Sequence, residues 1–208
     1  MSPLPPMAPI TPFPDDAWNA WTPNDLAQRL GETSAHWYVV GGWALDLWHG
    51  KQTREHEDLE FSVLPEDVSH FRDMLAELVF FTVRDGVIEH LPASESPAAD
   101  ITQLWGGDLA ERCWRVDMMV ETQGTRDTWA YKRAPDLRRA RIDMIRRTGD
   151  GVPYLCPAAV LLFKAKHRRE KDERDFRLAL PKLAPSEKDD LRQWLATLHP
   201  GHEWLQAL

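Results

Sequence analysis

The spacing of apolar and polar residues divides the chain into two regimes. Up to about residue 150, short alternating runs are mixed with helical spacings. From about Pro157, helical spacing alone persists. Thr22-Pro23-Asn24-Asp25 reads as a helix start, with Thr22 as N-cap and Pro23 in the first turn, and the helix runs to Leu30 and stops at Gly31. His36–Val40 is a β-branched and aromatic run ending at Gly41-Gly42, so a strand is predicted there, followed by a helix that stops at Gly50. Asp58–Leu64 alternates at strand period. Pro65-Glu66-Asp67 opens an amphipathic helix carrying Val68, Phe71, Met74, Leu75 and Leu78.

Further strands are predicted at Phe80–Arg84 and Val87–Leu91, turning at Asp85-Gly86. Another pair is expected at Ile101–Trp105 and Arg112–Val120, turning around Gly106-Gly107-Asp108. Helices are predicted at Pro157–Lys166, Lys171–Leu183 and Ser186–Leu198, with a last turn after Pro200-Gly201. Six of the 16 prolines lie within the first 14 residues, so residues 1–16 are expected to form a loose extended arm. The organisation read from this is an arm (1–16), an α+β unit (17–150) and a small helical unit (151–208).

Composition narrows the class. The 208 residues are 43% hydrophobic and 28% charged, enough for a sizeable core. The two cysteines, Cys113 and Cys156, have no metal-binding spacing, and a reducing cytoplasmic setting fits them. No run reaches the length of a membrane span, and the first residues lack the pattern of a secretory signal. The net charge of −8 is uneven: residues 1–131 hold 8 Lys and Arg against 22 Asp and Glu, whereas residues 132–147 hold 7 against 2. The acidic part argues against a broad nucleic-acid surface and would suit a cationic partner. The basic run is expected to be a solvated helix or loop, with phosphate or RNA as the alternative.

The residues that carry chemistry are Gly41-Gly42, Asp58, Glu60 and Asp117. On a strand, positions i and i+2 face one way, so Asp58 and Glu60 project together while Leu59 and Phe61 face the core. Two carboxylates this close need a cation or a proton between them. Mg²⁺ takes such ligands together with substrate phosphates. Asp117 lies on another predicted strand that could run beside the pair. The glycine pair lets backbone approach a phosphate at a helix N-terminus. Of the remaining candidates, Lys164, Lys166 and Lys171 could meet the β- and γ-phosphates or be solvent-facing. Asp172 and Asp175 share a helix face and are expected to pair with Arg168 and Arg169, with a cationic acceptor as the alternative. His56 is expected to orient the loop before Asp58, and Glu89 is an alternative base. Core packing accounts for most of the ten Trp, with one or two left open to stack on a base or sugar.

The run VVGGWALDLWHGKQTREHEDLEF resembles the signature of the DNA polymerase β-like nucleotidyltransferase superfamily, and in particular the aminoglycoside and lincosamide nucleotidyltransferases. It carries Gly41, Gly42, Trp43, Asp46, Gly50, Thr53, Arg54, His56, Asp58 and Glu60. PYLCPAAVLLFKAKHRREKDERDF and HPGHEWL extend the likeness towards the C-terminus. The resemblance implies an α+β fold, a mixed sheet with flanking helices followed by a small helical unit. It implies Mg²⁺-dependent transfer of a nucleoside monophosphate from an NTP, first of all ATP, to a hydroxyl, with release of pyrophosphate. Asp58, Glu60 and Asp117 would hold the metal, with Asp117 also open to act as base, and Gly41 and Gly42 would contact the triphosphate. Glu60 departs from the Asp usual in the antibiotic-modifying relatives. A small hydroxylated, cationic acceptor is expected, an aminoglycoside-like one first. A macromolecular acceptor (tRNA or protein, in a toxin-like role) and a binding module without catalysis are the alternatives. Monomer and homodimer both remain open.

Overall fold

The computed structural model describes residues 10–208; residues 1–9 of the expected arm lie outside the described residues. An eight-stranded mixed sheet runs in the order β4-β3-β5-β6-β2-β1-β10-β9. Its strands are β1 (Trp37–Val39), β2 (Glu60–Val63), β3 (Val79–Arg84), β4 (Val87–Leu91), β5 (Gln103–Asp108), β6 (Cys113–Val120), β9 (Ile145–Arg147) and β10 (Pro153–Leu155). A separate ribbon pairs β7 (Thr128–Ala130) with β8 (Arg138–Ala140). The helices are α1 (Pro23–Leu30), α2 (Gly41–His49), α3 (Val68–Met74), α4 (Arg141–Met144), α5 (Pro157–Ala165), α6 (Glu170–Ala179) and α7 (Pro185–Leu198). This is the mixed α+β architecture with flanking helices read from the sequence.

Local chemistry explains the element ends. Thr22 and Asp25 form a reciprocal capping box at the start of α1. Gly50 closes α2 in the left-handed conformation that glycine tolerates. Central strands β2 and β6 pair in parallel, and Leu59, Phe61, Val116 and Met118 are fully buried in one continuous core. That core extends through α5, α6 and α7, so the helical unit has no hydrophobic centre of its own. Residues 153–155, expected within the helical unit, form β10 and pair with β1 in the sheet, so the sheet's share of the chain extends past residue 150.

Other expectations are revised. The Gly106-Gly107 pair does not turn but lies inside β5, where a bulge sits, and the chain reverses over residues 109–112. A Cβ at either glycine would press on Val116, Leu78 or Phe13, so close packing is what the pair serves. The basic run 132–147 is no single solvated helix but is cut into β8, α4 and β9. Within the expected loose arm, Phe13 is buried against Phe81 and Trp114, and the Trp114 indole donates to the Pro14 carbonyl at 2.8 Å. That aromatic burial fastens residues 10–16 to the sheet.

Candidate active site

The site lies where β1 and β2 meet α2. Gly41 and Gly42 are the first residues of α2, one residue after β1, and the intervening Val40 gives no side-chain cap, which leaves the amides of the first turn free of any capping side chain. Gly41 has φ +63°, and a Cβ there would overlap Glu60 Oε2. A Cβ at Gly42 would overlap the Arg54 guanidinium and the His56 ring. The glycine pair therefore lets the Asp58 loop and the Glu60 side chain close against the helix start.

Register brings two of the expected carboxylates together. Glu60 on β2 pairs directly with Asp117 on the adjacent parallel strand β6, so both point from the same face. Asp58 stands two residues before β2, in its lead-in, and its charge acts on both of the others. Asp117 is 3% exposed, Gln103 Nε2 donates to its Oδ2 at 2.6 Å, and among the described residues its buried Oδ1 has no hydrogen-bond partner. Burial, the Glu60 charge and the Asp58 charge push the Asp117 carboxyl well above the usual carboxylate range. Burial and Asp58 raise Glu60 likewise, against the pull of Lys164, Lys132 and Arg169. Among the described residues no three His, Cys, Asp or Glu side chains close into a ready metal cage. The chemistry of the facing Glu60 and Asp117, with their excess negative charge and one orphaned buried oxygen, suits a hard divalent cation.

The loop before Asp58 is clasped from α2. Asp46, buried on that helix, accepts from Thr53 Oγ1 at 2.5 Å and pairs with His56 Nε2 at 2.6 Å. The His56 ring stacks on Trp43 at 4.4 Å between centroids. His56 thus orients the loop, the role expected for it. Burial pushes the Asp46 carboxyl up, but the bonds from His56 and Thr53 outweigh that and keep it below its ordinary value.

Beside Glu60 a cleft of about 280 Å³ opens between the sheet and α5. Its walls carry the cations Lys132, Arg133, Lys164 and Arg169, with Trp129 and Phe163 as apolar surface. Lys171 is absent from it: its ammonium reaches the exposed Glu57 at 3.3 Å. Glu89 is exposed on the edge strand β4, three strands from Asp117. Asp172 pairs with Arg169 as expected, whereas Arg168 pairs with Glu173 and Glu203. Arg141 of the basic run is buried in a bidentate pair with Glu121, at 2.9 Å for both bonds, and the Tyr38 hydroxyl donates to the same carboxylate at 2.7 Å. Arg146 pairs with Glu187 at 2.7 Å, so the run forms no continuous basic face. The sequence reading missed Lys132, Arg133 and Arg169 as cleft cations. A Lys-Arg pair directly after the aromatic run Trp129-Ala130-Tyr131 was the signal available for the first two.

The fold is similar to that of nucleotidyltransferases of known structure. The sequence profile of the aminoglycoside-2''-adenylyltransferase family matches residues 24–96. The crystal structure of ANT(2'')-Ia in complex with adenylyl-2''-tobramycin superposes with TM-score 0.51 at 14% identity, covering 85% of this chain and 94% of that one. An antigenic nucleotidyltransferase-like protein from Paracoccidioides brasiliensis superposes with TM-score 0.51 at 17% identity, covering 96% and 94%. No curated protein matches the chain. The chain thus resembles the nucleotidyltransferase superfamily, and the enzymes it is similar to include adenylyltransferases that act on antibiotics. No helix among the described residues is long and apolar enough to cross a membrane.

Proposed function

We propose that the protein transfers a nucleoside monophosphate, first of all AMP from ATP, to a hydroxyl of a small molecule and releases pyrophosphate. The observation that carries this reading is the Glu60–Asp117 register pair, whose Glu60 lines a cleft walled by cations. Lys132, Arg133, Lys164 and Arg169 would bind the triphosphate as compact or forked charges. The free amides at Gly41-Gly42 would cradle one phosphate. Asp58, Glu60 and Asp117 would hold Mg²⁺, which supplies charge neutralisation at the reacting phosphate and lowers the pKa of a bound hydroxyl. Asp117, with Oδ2 held by Gln103 and Oδ1 free, can keep an acceptor hydroxyl in line and take its proton. Trp129 and Phe163 offer apolar surface for a base.

An aminoglycoside-like acceptor remains the first candidate, supported by the family resemblance, and it would approach from outside the cationic cleft. Pyrophosphate release should be screened over the four NTPs against aminoglycosides, lincosamides and nucleosides. Turnover that needs Mg²⁺ and is lost in Asp58→Asn is the expected result. Unchanged turnover in that variant would remove these residues from the chemistry.

A further inference from the structure

We infer that Asp172 and Asp175, which touch neither the cleft nor the metal-side carboxylates, form a positioning clamp that holds the cleft cations and links them to the Asp58 loop. The inference rests on the nucleotide reading above. The two carboxylates sit one turn apart on α6 and are 0% and 4% exposed. Asp172 Oδ1 meets Lys164 Nζ at 3.3 Å, and its Oδ2 accepts from Arg169 Nε at 2.8 Å and from the Arg169 amide at 3.1 Å. One buried carboxylate thus holds two cations of the cleft wall, from α5 and from the start of α6. Asp175 Oδ2 holds Lys164 Nζ from the other side at 2.8 Å. Its Oδ1 accepts from Arg54 Nε at 3.2 Å, and Arg54 Nη2 bonds Oδ2 at 3.3 Å. Arg54 belongs to the loop that ends at Asp58 and lies against Gly42.

The chemistry suits positioning. A lysine ammonium is a point charge on a flexible stem, so leaving it buried without partners is costly and leaves its direction undefined. Two carboxylates fix it from both sides. Three cations face two anions in this group, so one positive charge remains unbalanced and is presented to the triphosphate alongside Lys132 and Arg133. Asp175 also makes the clamp a link: the carboxylate that holds Lys164 anchors Arg54 as well, and with it the loop that carries Asp58.

The test is a double-mutant cycle on ATP–Mg²⁺ binding, read by calorimetry without acceptor. Asp172→Asn should weaken binding roughly tenfold, the loss expected when one charged contact goes astray. In a Lys164→Met, Arg169→Met background the same change should alter the dissociation constant less than about twofold, because its effect passes through those cations. Arg54→Met, outside the cleft, should weaken binding severalfold and lose that effect in Lys164→Met; this variant carries the test if Asp172→Asn does not fold. Equal effects in both backgrounds would reduce the clamp to a structural element and overturn the inference. So would wild-type affinity in both Asp172→Asn and Arg54→Met alongside a large loss in Lys164→Met, and that outcome would leave nucleotide binding standing. Failure of the wild-type protein to bind any NTP would overturn the nucleotide reading, and the clamp with it.

Discussion

Asp117→Asn should make the metal-free protein more stable while abolishing its activity. Asp117 and Glu60 face the same way from directly paired strands, and Asp58 adds a third negative charge. Carboxylates on paired strands stand about 5 Å apart, and at an effective dielectric of about 20 two full charges there repel by about 3 kcal/mol. Part of that is relieved in the wild type because the Asp117 carboxyl, pushed up by burial and by Glu60, binds a proton more readily than in the unfolded chain. A carboxyl with a raised folded pKa costs stability as pH rises from its unfolded value of about 4 through its folded value. The variant should therefore gain about 1–3 kcal/mol at pH 8 without divalent metal, or several degrees in Tm. The gain should shrink towards pH 4 as the wild-type group becomes protonated. Asn keeps an oxygen for the Gln103 amide, so packing is undisturbed. Thermal unfolding from pH 4 to 8, with EDTA or with Mg²⁺, is the assay, and Mg²⁺ should stabilise the wild type more than the variant. Destabilisation of the variant at pH 8, or a gain independent of pH, would refute the electrostatic argument.

Other consequences follow from the same structure. Glu121→Gln should cost about 3–5 kcal/mol in denaturant unfolding, because it leaves the buried Arg141 guanidinium without its bidentate partner. Gly42→Ala should abolish turnover in the pyrophosphate assay, since its methyl would displace Arg54 and His56 and so the loop carrying Asp58. Lys132→Met should weaken ATP binding about tenfold by calorimetry with little change in Tm, because among the described residues this cleft lysine makes no ion pair.

The sequence made the secondary structure of the long, strongly patterned segments readable, because burial there imposes a clean period. Leu59 and Phe61 point inward, and that alone set the direction of Asp58 and Glu60. The neighbouring strand for Asp117 could be anticipated, but the direct Glu60–Asp117 register is a tertiary fact. Strands β7 to β10 were not foreseen: each is three residues long, too short to establish an alternation, and β8 and β9 are rich in arginine. The Gly106-Gly107 pair read as a turn because glycine frees the backbone, whereas here it makes room for side chains crossing β5. Lys164 and Lys171 look alike in sequence, yet they sit on different elements, α5 and α6, and only one of them faces the cleft. The burial of Phe13 reverses the expectation from the prolines around it, since one aromatic anchor outweighs the extended backbone preference of its neighbours.

The central claim is that the carboxylates at Asp58, Glu60 and Asp117 and the cationic cleft beside them act on one nucleotide. Pyrophosphate release from ATP with a hydroxylated acceptor, measured for the wild type, Asp117→Asn and Lys132→Met over a range of Mg²⁺ concentrations, tests it most directly. Mg²⁺-dependent turnover is expected in the wild type, none in Asp117→Asn at any Mg²⁺ concentration, and a raised ATP KM in Lys132→Met. Metal-independent turnover, or full activity in Asp117→Asn, would contradict it.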